Sequence, residues 1–404
     1  MKNIPYSTQY IDDDDINAVI STLKSDFLTQ GSKVSEFERR IADFVGVKYA
    51  VSFNSATSAL NIAYKIIKHD LLSKGESINK CEFLTTPLTF CATANMMLEN
   101  GITPHFCEIN EIGNLNETLL PISQNTKAIV SVDYAGNSVN ADRIAKICKE
   151  NNLYFIADSS HSFGGAFKGA NVGSLADMTI FSFHAVKPIT TMEGGAIATN
   201  NVRFYKLANL LKSHGIIKKE LWDSEIFCNN YDENGDSTGD SSDFCDSNKT
   251  SDSANLGDFI GHNFRLSDVA ASLGISQLSK LESFIAKRTQ IARIYDDEFS
   301  NIAKFKTLKI PPYIKSSYHL YPILLDSTLL SRKREIFRDL LDCSLGVQVH
   351  YKPLHQFSLY KNHTPIKSAD SFYNAEISIP CHQRLSENDI EFIISTIKKI
   401  FKKY

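Results

Sequence analysis

Short β-rich runs alternate with stretches of helical spacing through the first two-thirds of this chain, and that alternation restricts the fold more than any other feature. Tyr49 to Phe53, Phe83 to Thr86, Thr103 to Ile109, Ala128 to Asp133 and Tyr154 to Asp158 read as strands. Thr57 to Ile67, Phe90 to Glu99 and Asn140 to Asn151 read as the helices between them. Ile11 to Leu23 precedes them with the same helical spacing, and Asp12 to Asp15 stand where a helix dipole favours negative charge. Apolar strands interleaved with helices imply a mostly parallel sheet covered on both faces. From about Ser267 the texture changes. Two helices (Asp268 to Leu278, Leu281 to Phe299) lead to strands near Tyr318 to Leu325 and Val347 to His350, and a helix from Ser386 to Lys402 closes the chain. The expected division is a large domain over 1–266 and a smaller α/β domain over 267–404.

Composition excludes several functions. A net charge of −3 gives no reason to expect a nucleic acid or an anionic membrane as partner. No apolar run approaches the ~20 residues of a membrane span. The start, Met1 to Tyr6, has no apolar leader core, so a cytoplasmic protein is expected. The eight cysteines show no CxxC spacing and read as reduced core residues, with no metal site expected. Cys228 and Cys245 differ, because they lie in a polar stretch and could pair if oxidised. That stretch, Asp223 to Asp258, carries a charge of about −9, leaving about +6 on the rest of the chain. It is too polar to bury a core and reads as a mobile surface insertion, either a plain solvated loop or an acidic lid or tether.

Two charged residues stand where such a sheet binds ligands, beyond the carboxyl ends of strands. Asp158 ends the run Tyr154-Phe155-Ile156-Ala157, and Lys187 follows Phe181-Ser182-Phe183-His184-Ala185-Val186. Gly194 to Thr199 then reads as a turn feeding a further strand, which holds Lys187 in a loop between two strands. An amine and a carboxylate so placed suit pyridoxal 5'-phosphate. The amine condenses with its aldehyde and the carboxylate pairs with its pyridine nitrogen. Poor solvation is required of such a lysine, and Phe181, Phe183, Val186 and Pro188 supply apolar neighbours. Taken singly, each residue also has an ordinary reading, a solvated acid and an exposed lysine at strand ends. His161 is either a loop histidine or a neighbour of the cofactor ring. Asn54-Ser55-Ala56-Thr57-Ser58 opens a helix after a strand, so it is either a plain N-cap or a phosphate cradle. Ser182 could add a phosphate hydrogen bond, and Phe90 is either a core residue or a stacking ring.

Taken together, these motifs resemble the DegT/StrS-type sugar-nucleotide aminotransferases over nearly the whole chain, the acidic stretch excepted. Within that family they are similar to the branch serving pseudaminic acid synthesis. The runs that carry the likeness are Asp26-Phe27-Leu28-Thr29-Gln30-Gly31, Phe53 to Leu60, Val130 to Gly136, Phe181 to Thr191 with Glu193-Gly194-Gly195, Gly261 to Arg265, and Gln348-Val349-His350-Tyr351-Lys352-Pro353. The resemblance implies the type I aminotransferase fold, a seven-stranded, mostly parallel sheet with a smaller C-terminal α/β domain. It implies that Lys187 holds pyridoxal phosphate and acts as general acid and base, Asp158 pairs with the ring nitrogen, and His161 flanks the ring. Phe90 would stack, while Ala56, Thr57 and Ser182 would surround the phosphate. Asn263 would reach that phosphate from the second subunit of a homodimer with shared sites. Tyr6, Asp26, Phe27, Leu28, Thr29, Gln348, Val349, His350 and Tyr351 would contact a UDP-linked 4-keto-6-deoxy amino sugar, with L-glutamate as amino donor. Alternatives are amination of the D-configured sugar of the bacillosamine route, or a silent sugar-nucleotide binder. A 3-dehydratase of this fold is a further rival, but those members carry histidine where Lys187 stands.

Overall fold

The computed structural model describes residues 3–216 and 260–404. The acidic stretch, with Cys228 and Cys245, lies outside the described residues. The first helices are α1 (Asp13–Leu23) and α2 (Ser32–Val45). Then come β1 (Tyr49–Phe53), α3 (Ala56–Ser73), β2 (Glu82–Thr85), α4 (Ala92–Glu99), β3 (Thr103–Phe106) and β4 (Thr126–Val132). They are followed by α5 (Ala141–Glu150), β5 (Tyr154–Asp158), the short β6 (Ala166–Phe167) and β7 (Ala170–Asn171), β8 (Met178–Ser182), β9 (Gly195–Thr199) and α6 (Val202–Leu211). The second part holds α7 (Asp268–Phe299), β10 (Phe305–Thr307), β11 (Ile314–Lys315), β12 (Tyr321–Leu325), α8 (Lys333–Asp342), α9 (Lys367–Ala375), β13 (Glu376–Ile379) and α10 (Glu387–Lys403).

Seven strands form the main sheet in the order β1-β9-β8-β5-β4-β2-β3. The pairs from β3 through β8 are parallel, while β9 runs antiparallel to both its neighbours. The expected α/β class and mostly parallel seven-stranded sheet are therefore present. The strands are apolar along their length because both faces are covered. Val51, Phe53, Val130, Ile156, Ile180 and Ile197 meet α3 on one side. Phe181, Phe183, Ala196 and Ala198 meet Phe37 and Ile41 of α2 and the first half of α7 on the other. A separate core is built on the antiparallel sheet β10-β12-β13, where Ile323, Leu325, Ile377 and Ile379 pack on Ile393 and Ile397 of α10.

Helix α7 differs from expectation. The turn read between Leu278 and Leu281 is absent, and one helix of 32 residues runs through it. Lys280, read as part of the gap, and the nearby Gln277 serve α1 instead. Gln277 donates to Asp15 (2.8 Å) and to the Tyr10 carbonyl (2.9 Å), and Lys280 pairs with Asp15 (3.0 Å) and Asp12. Asp12 also caps α1, exchanging hydrogen bonds with Asp15. Ala270, Ala271, Leu281 and Ile285 of α7 belong to the large-sheet core, whereas Ile291, Ala292, Tyr295 and Phe299 belong to the second core. Val347 to His350 is not a strand either. Only Gln348 pairs with Ser378, and the His350 N–H donates to the Glu376 side chain (2.8 Å) instead of a neighbouring strand.

Gly274 of α7 lies against two buried side chains: a Cβ there would come within 2.6 Å of the Phe37 ring and 2.7 Å of Thr191 Cγ2. Both neighbours are fully enclosed, so overpacking outweighs the gain of about 1 kcal/mol in helix propensity. Gly274→Ala is expected to lower stability by about 1–2 kcal/mol, read as a lower denaturant midpoint. An unchanged or higher midpoint would show that the α2–α7 contact relaxes freely.

Candidate active site

Three strand ends meet at one row. Ser182 of β8 pairs with Gly195 of β9, and Gly195 pairs with Phe53 of β1. Phe53 leads directly into Asn54 and the start of α3, where Ser55 caps the helix by accepting from the Ser58 N–H. The first N–H groups, those of Ala56 and Thr57, have no acceptor within their own helix. Glycine is required at 195, since a Cβ would lie 2.6 Å from Ala56 Cα. The close approach of β9 thus sets the N-terminus of α3 beside Ser182, a group of N–H and O–H donors suited to a phosphate.

Asp158 ends β5 and is 6 % exposed. Its carboxylate accepts from Thr93 Oγ1 (2.7 Å), from Ser160 Oγ (2.6 Å) and from the Ser160 N–H (3.2 Å). Thr93 also bonds the Thr89 hydroxyl at 2.8 Å. The acid is therefore held rigidly at the sheet end by α4 and its own turn.

Lys187 lies in the loop between β8 and β9, and Ser7 of the N-terminal segment anchors that loop by donating to the Val186 carbonyl (3.0 Å). Its side chain is enclosed although part of its surface reaches solvent. Burial pulls the amine down to about 8, with the Asp158 charge opposing. The amine lies 3.4 Å from His319 Nε2. His161 packs on His319 (ring centroids 4.4 Å apart), and its Nε2 meets the Tyr351 hydroxyl at 3.0 Å. Burial, then the Lys187 charge, holds both histidines well below the usual histidine range, so both are neutral near pH 7. His161 Nδ1 and His319 Nδ1 are buried without a partner. His350 is pulled down to about 3 by the same causes.

Not every expected residue joins this group. Lys187, Asp158, His161, His350 and Tyr351 are brought together, and the Tyr6 ring lies 5.4 Å from that of His350. Ser182, Ala56 and Thr57 share the strand-end row. Phe90 precedes α4 instead of starting it; it is 58 % exposed and meets Tyr351 edge-on at 6.3 Å. Asp26, Phe27, Leu28 and Thr29 are exposed and pair with the start of α7, through Asp268 N–H to the Leu28 carbonyl and Thr29 beside Ser267. Within this chain they make no hydrogen bond or ring contact with the Lys187 group. Gln348 is exposed and Val349 half-buried. Asn263 is exposed and pairs with Ser213, and the next carbonyl, Phe264, accepts the Asn54 N–H (2.8 Å). Sequence reading missed His319, Thr93 and Glu376. Each lies far along the chain from Lys187 or Asp158, with no local spacing to mark it.

The donor set fits pyridoxal phosphate: a desolvated amine, a buried carboxylate, unpaired N–H groups at a helix start, and two buried imidazole nitrogens lacking partners. Fold and site define the pyridoxal-phosphate-dependent transaminases as the class. The chain belongs to the DegT/DnrJ/EryC1/StrS aminotransferase family, which it matches over residues 9–398. It is 43% identical over 408 aligned residues to the UDP-4-amino-4,6-dideoxy-N-acetyl-beta-L-altrosamine transaminase of Campylobacter jejuni (strain 81-176), covering 99% of this chain and 98% of that one. The solved structure of Helicobacter pylori PseC, an aminotransferase of pseudoaminic acid biosynthesis, aligns over 100% of both chains with a TM-score of 0.87 and 39% identity. The PLP-form of the putative sugar aminotransferase Spr1654 from Streptococcus pneumoniae gives a TM-score of 0.83 at 27% identity, covering 100% of this chain and 99% of that one.

Lys187 links the site to stability. Its folded value of about 8 lies below the unfolded value near 10.5, so the unfolded chain binds the extra proton between those pH values. The cost of burying this amine is fully present below about pH 8 and is relieved as pH rises toward 10.5. In cofactor-free protein, Lys187→Met is expected to raise Tm most below pH 8, with the advantage shrinking across that window. A difference in Tm independent of pH would contradict the depressed value.

Proposed function

We propose that this protein transfers the amino group of L-glutamate to C4 of UDP-2-acetamido-2,6-dideoxy-β-L-arabino-hex-4-ulose, the transamination step of pseudaminic acid synthesis. The observation that carries the reading is the Lys187 amine, desolvated and held beside Asp158 at the carboxyl end of the large sheet. Full-length identity of 43% to a transaminase that forms the corresponding 4-amino sugar supports the choice of substrate.

Pyridoxal phosphate, when bound, supplies an electron sink that allows a proton to leave the carbon bearing the nitrogen. Asp158 would pair with the ring nitrogen, its carboxylate kept in place by Thr93 and Ser160. Ala56, Thr57 and Ser182 would hold the phosphate, and His161 would lie against the ring. Phe90 would cover the ring from the solvent side, which accounts for an exposed aromatic at a sheet end. A lysine with a value near 8 carries a mixture of amine and ammonium at neutral pH, so Lys187 Nζ can both take and return the migrating proton. Tyr6, Gln348 to Tyr351 and, from the second subunit, Asp26 to Thr29 would contact the sugar nucleotide. Asn263 would likewise cross to the phosphate of the partner copy.

That arrangement requires a homodimer. Ile16, Ile20 and Leu23 of α1, with Phe27 and Leu28 after it, are 41–64 % exposed, an apolar strip that a second copy would cover.

Glutamate with each of the two UDP-4-keto-6-deoxy epimers tests the reading. Ping-pong kinetics and a preference for the L-configured ketone are expected. Lys187→Ala is expected to lose turnover by about 10³-fold or more. Wild-type turnover by that variant would remove the transaminase reading, and preference for the D-epimer would redirect it to the bacillosamine route.

A further inference from the structure

We infer that His319 is a positioning residue for the transamination: its Nε2 accepts a hydrogen from the free Lys187 amine and fixes that amine whenever the lysine is released. The inference rests on the transaminase reading above and adds a residue from the second part of the chain, 132 positions from Lys187.

His319 is the only hydrogen-bond partner of Lys187 Nζ among the described residues, at 3.4 Å. Asp158 acts on Lys187 through its charge, with no hydrogen bond to Nζ, and its oxygens accept from Thr93 and Ser160. The imidazole is 3 % exposed and neutral, so it has one N–H and one lone pair. While Lys187 is an ammonium it can only donate, so in that state the lone pair is on Nε2, facing Lys187, and the proton on Nδ1. Neutrality suits the task. A carboxylate at this place would favour the ammonium and oppose loss of its proton, whereas a neutral imidazole orients the amine with a smaller bias.

The ring is set by three constraints. It packs on His161 at 4.4 Å. Its backbone is gripped by Arg288, fully buried, whose Nη1 donates to the carbonyls of Cys381 (2.7 Å), Tyr318 (3.0 Å) and, at 3.5 Å, His319 itself. On the other side Ser317 N–H donates to the Gly136 carbonyl (3.0 Å), and Ser317 Oγ donates to the His161 carbonyl (2.5 Å). Together they fix the backbone that carries the ring and one of its faces.

Three substitutions separate acceptance at Nε2 from mere packing. A glutamine amide reaches the place of Nε2, an asparagine amide only that of Nδ1, and leucine fills space without an acceptor. His319→Leu and His319→Asn are expected to lower kcat of both half-reactions by about 100-fold, the effect of a misplaced reacting group, with KM for the sugar nucleotide little changed. His319→Gln is expected to recover most of kcat. In cofactor-free protein, ¹⁵N-histidine NMR is expected to show His319 neutral, with Nδ1 protonated and Nε2 bare. Full kcat in His319→Leu, equal recovery by asparagine and glutamine, or a protonated Nε2 would each overturn the inference. If His319→Leu does not fold, the glutamine–asparagine comparison and the NMR of the unaltered protein still decide. Lys187→Ala distinguishes the two levels of the argument. Wild-type turnover there overturns the transaminase reading, whereas its loss beside an unaffected His319→Leu overturns only the role of His319.

Discussion

Burying an amine and a carboxylate together at one end of a sheet is the constraint around which this structure is arranged. Each group would be costly alone in an apolar interior. Asp158 is made tolerable by hydrogen bonds from Thr93 and Ser160, which hold both its oxygens and leave room for one further donor. Lys187 is left less well served, with one neutral neighbour and a value drawn down to about 8. That imbalance is useful. A lysine fully paired with an acid would keep its proton, and an exposed one would keep it as well. The fold supplies an intermediate condition.

Two parts of the chain contribute to it by different means. The large sheet gives position: parallel strands deliver Asp158 and Ser182 to the same edge, and the antiparallel β9 returns from the Lys187 loop to press Gly195 on the start of α3. The second part gives enclosure. His319, His350 and Tyr351 close over Lys187 and His161, and Glu376, fully buried, holds that cover through the His350 N–H and the Ser378 hydroxyl. Burial raises the Glu376 carboxyl to about 7. Helix α7, rooted in both cores, joins the two contributions.

Much of this was legible in the sequence because it depends on local pattern. Strand ends show as breaks in apolar runs, so Asp158, Lys187 and the Asn54 to Ser58 turn could be placed without coordinates. Residues whose importance comes from tertiary approach could not. His319 sits in Ser316-Ser317-Tyr318-His319-Leu320, where nothing in spacing distinguishes it from a core histidine. The same reason explains two misreadings. Ser279 and Lys280 read as a gap between two helices, yet α1 lies there and its Asp15 receives Lys280. Val347 to His350 looked like a strand because its residues favour one, yet the His350 N–H is taken by a side chain. Gln348 to Tyr351 and Asn263 were marked only by resemblance. The roles proposed for them toward a ligand or a second copy leave no mark in local spacing.

The central claim is that Lys187 is the residue to which pyridoxal phosphate attaches. Borohydride reduction of the cofactor-loaded protein, followed by peptide mass mapping, tests it directly. The account predicts a stable phosphopyridoxyl addition on Lys187, in the peptide that follows Phe181-Ser182-Phe183. An addition confined to another lysine, with Lys187 recovered unmodified, would contradict it.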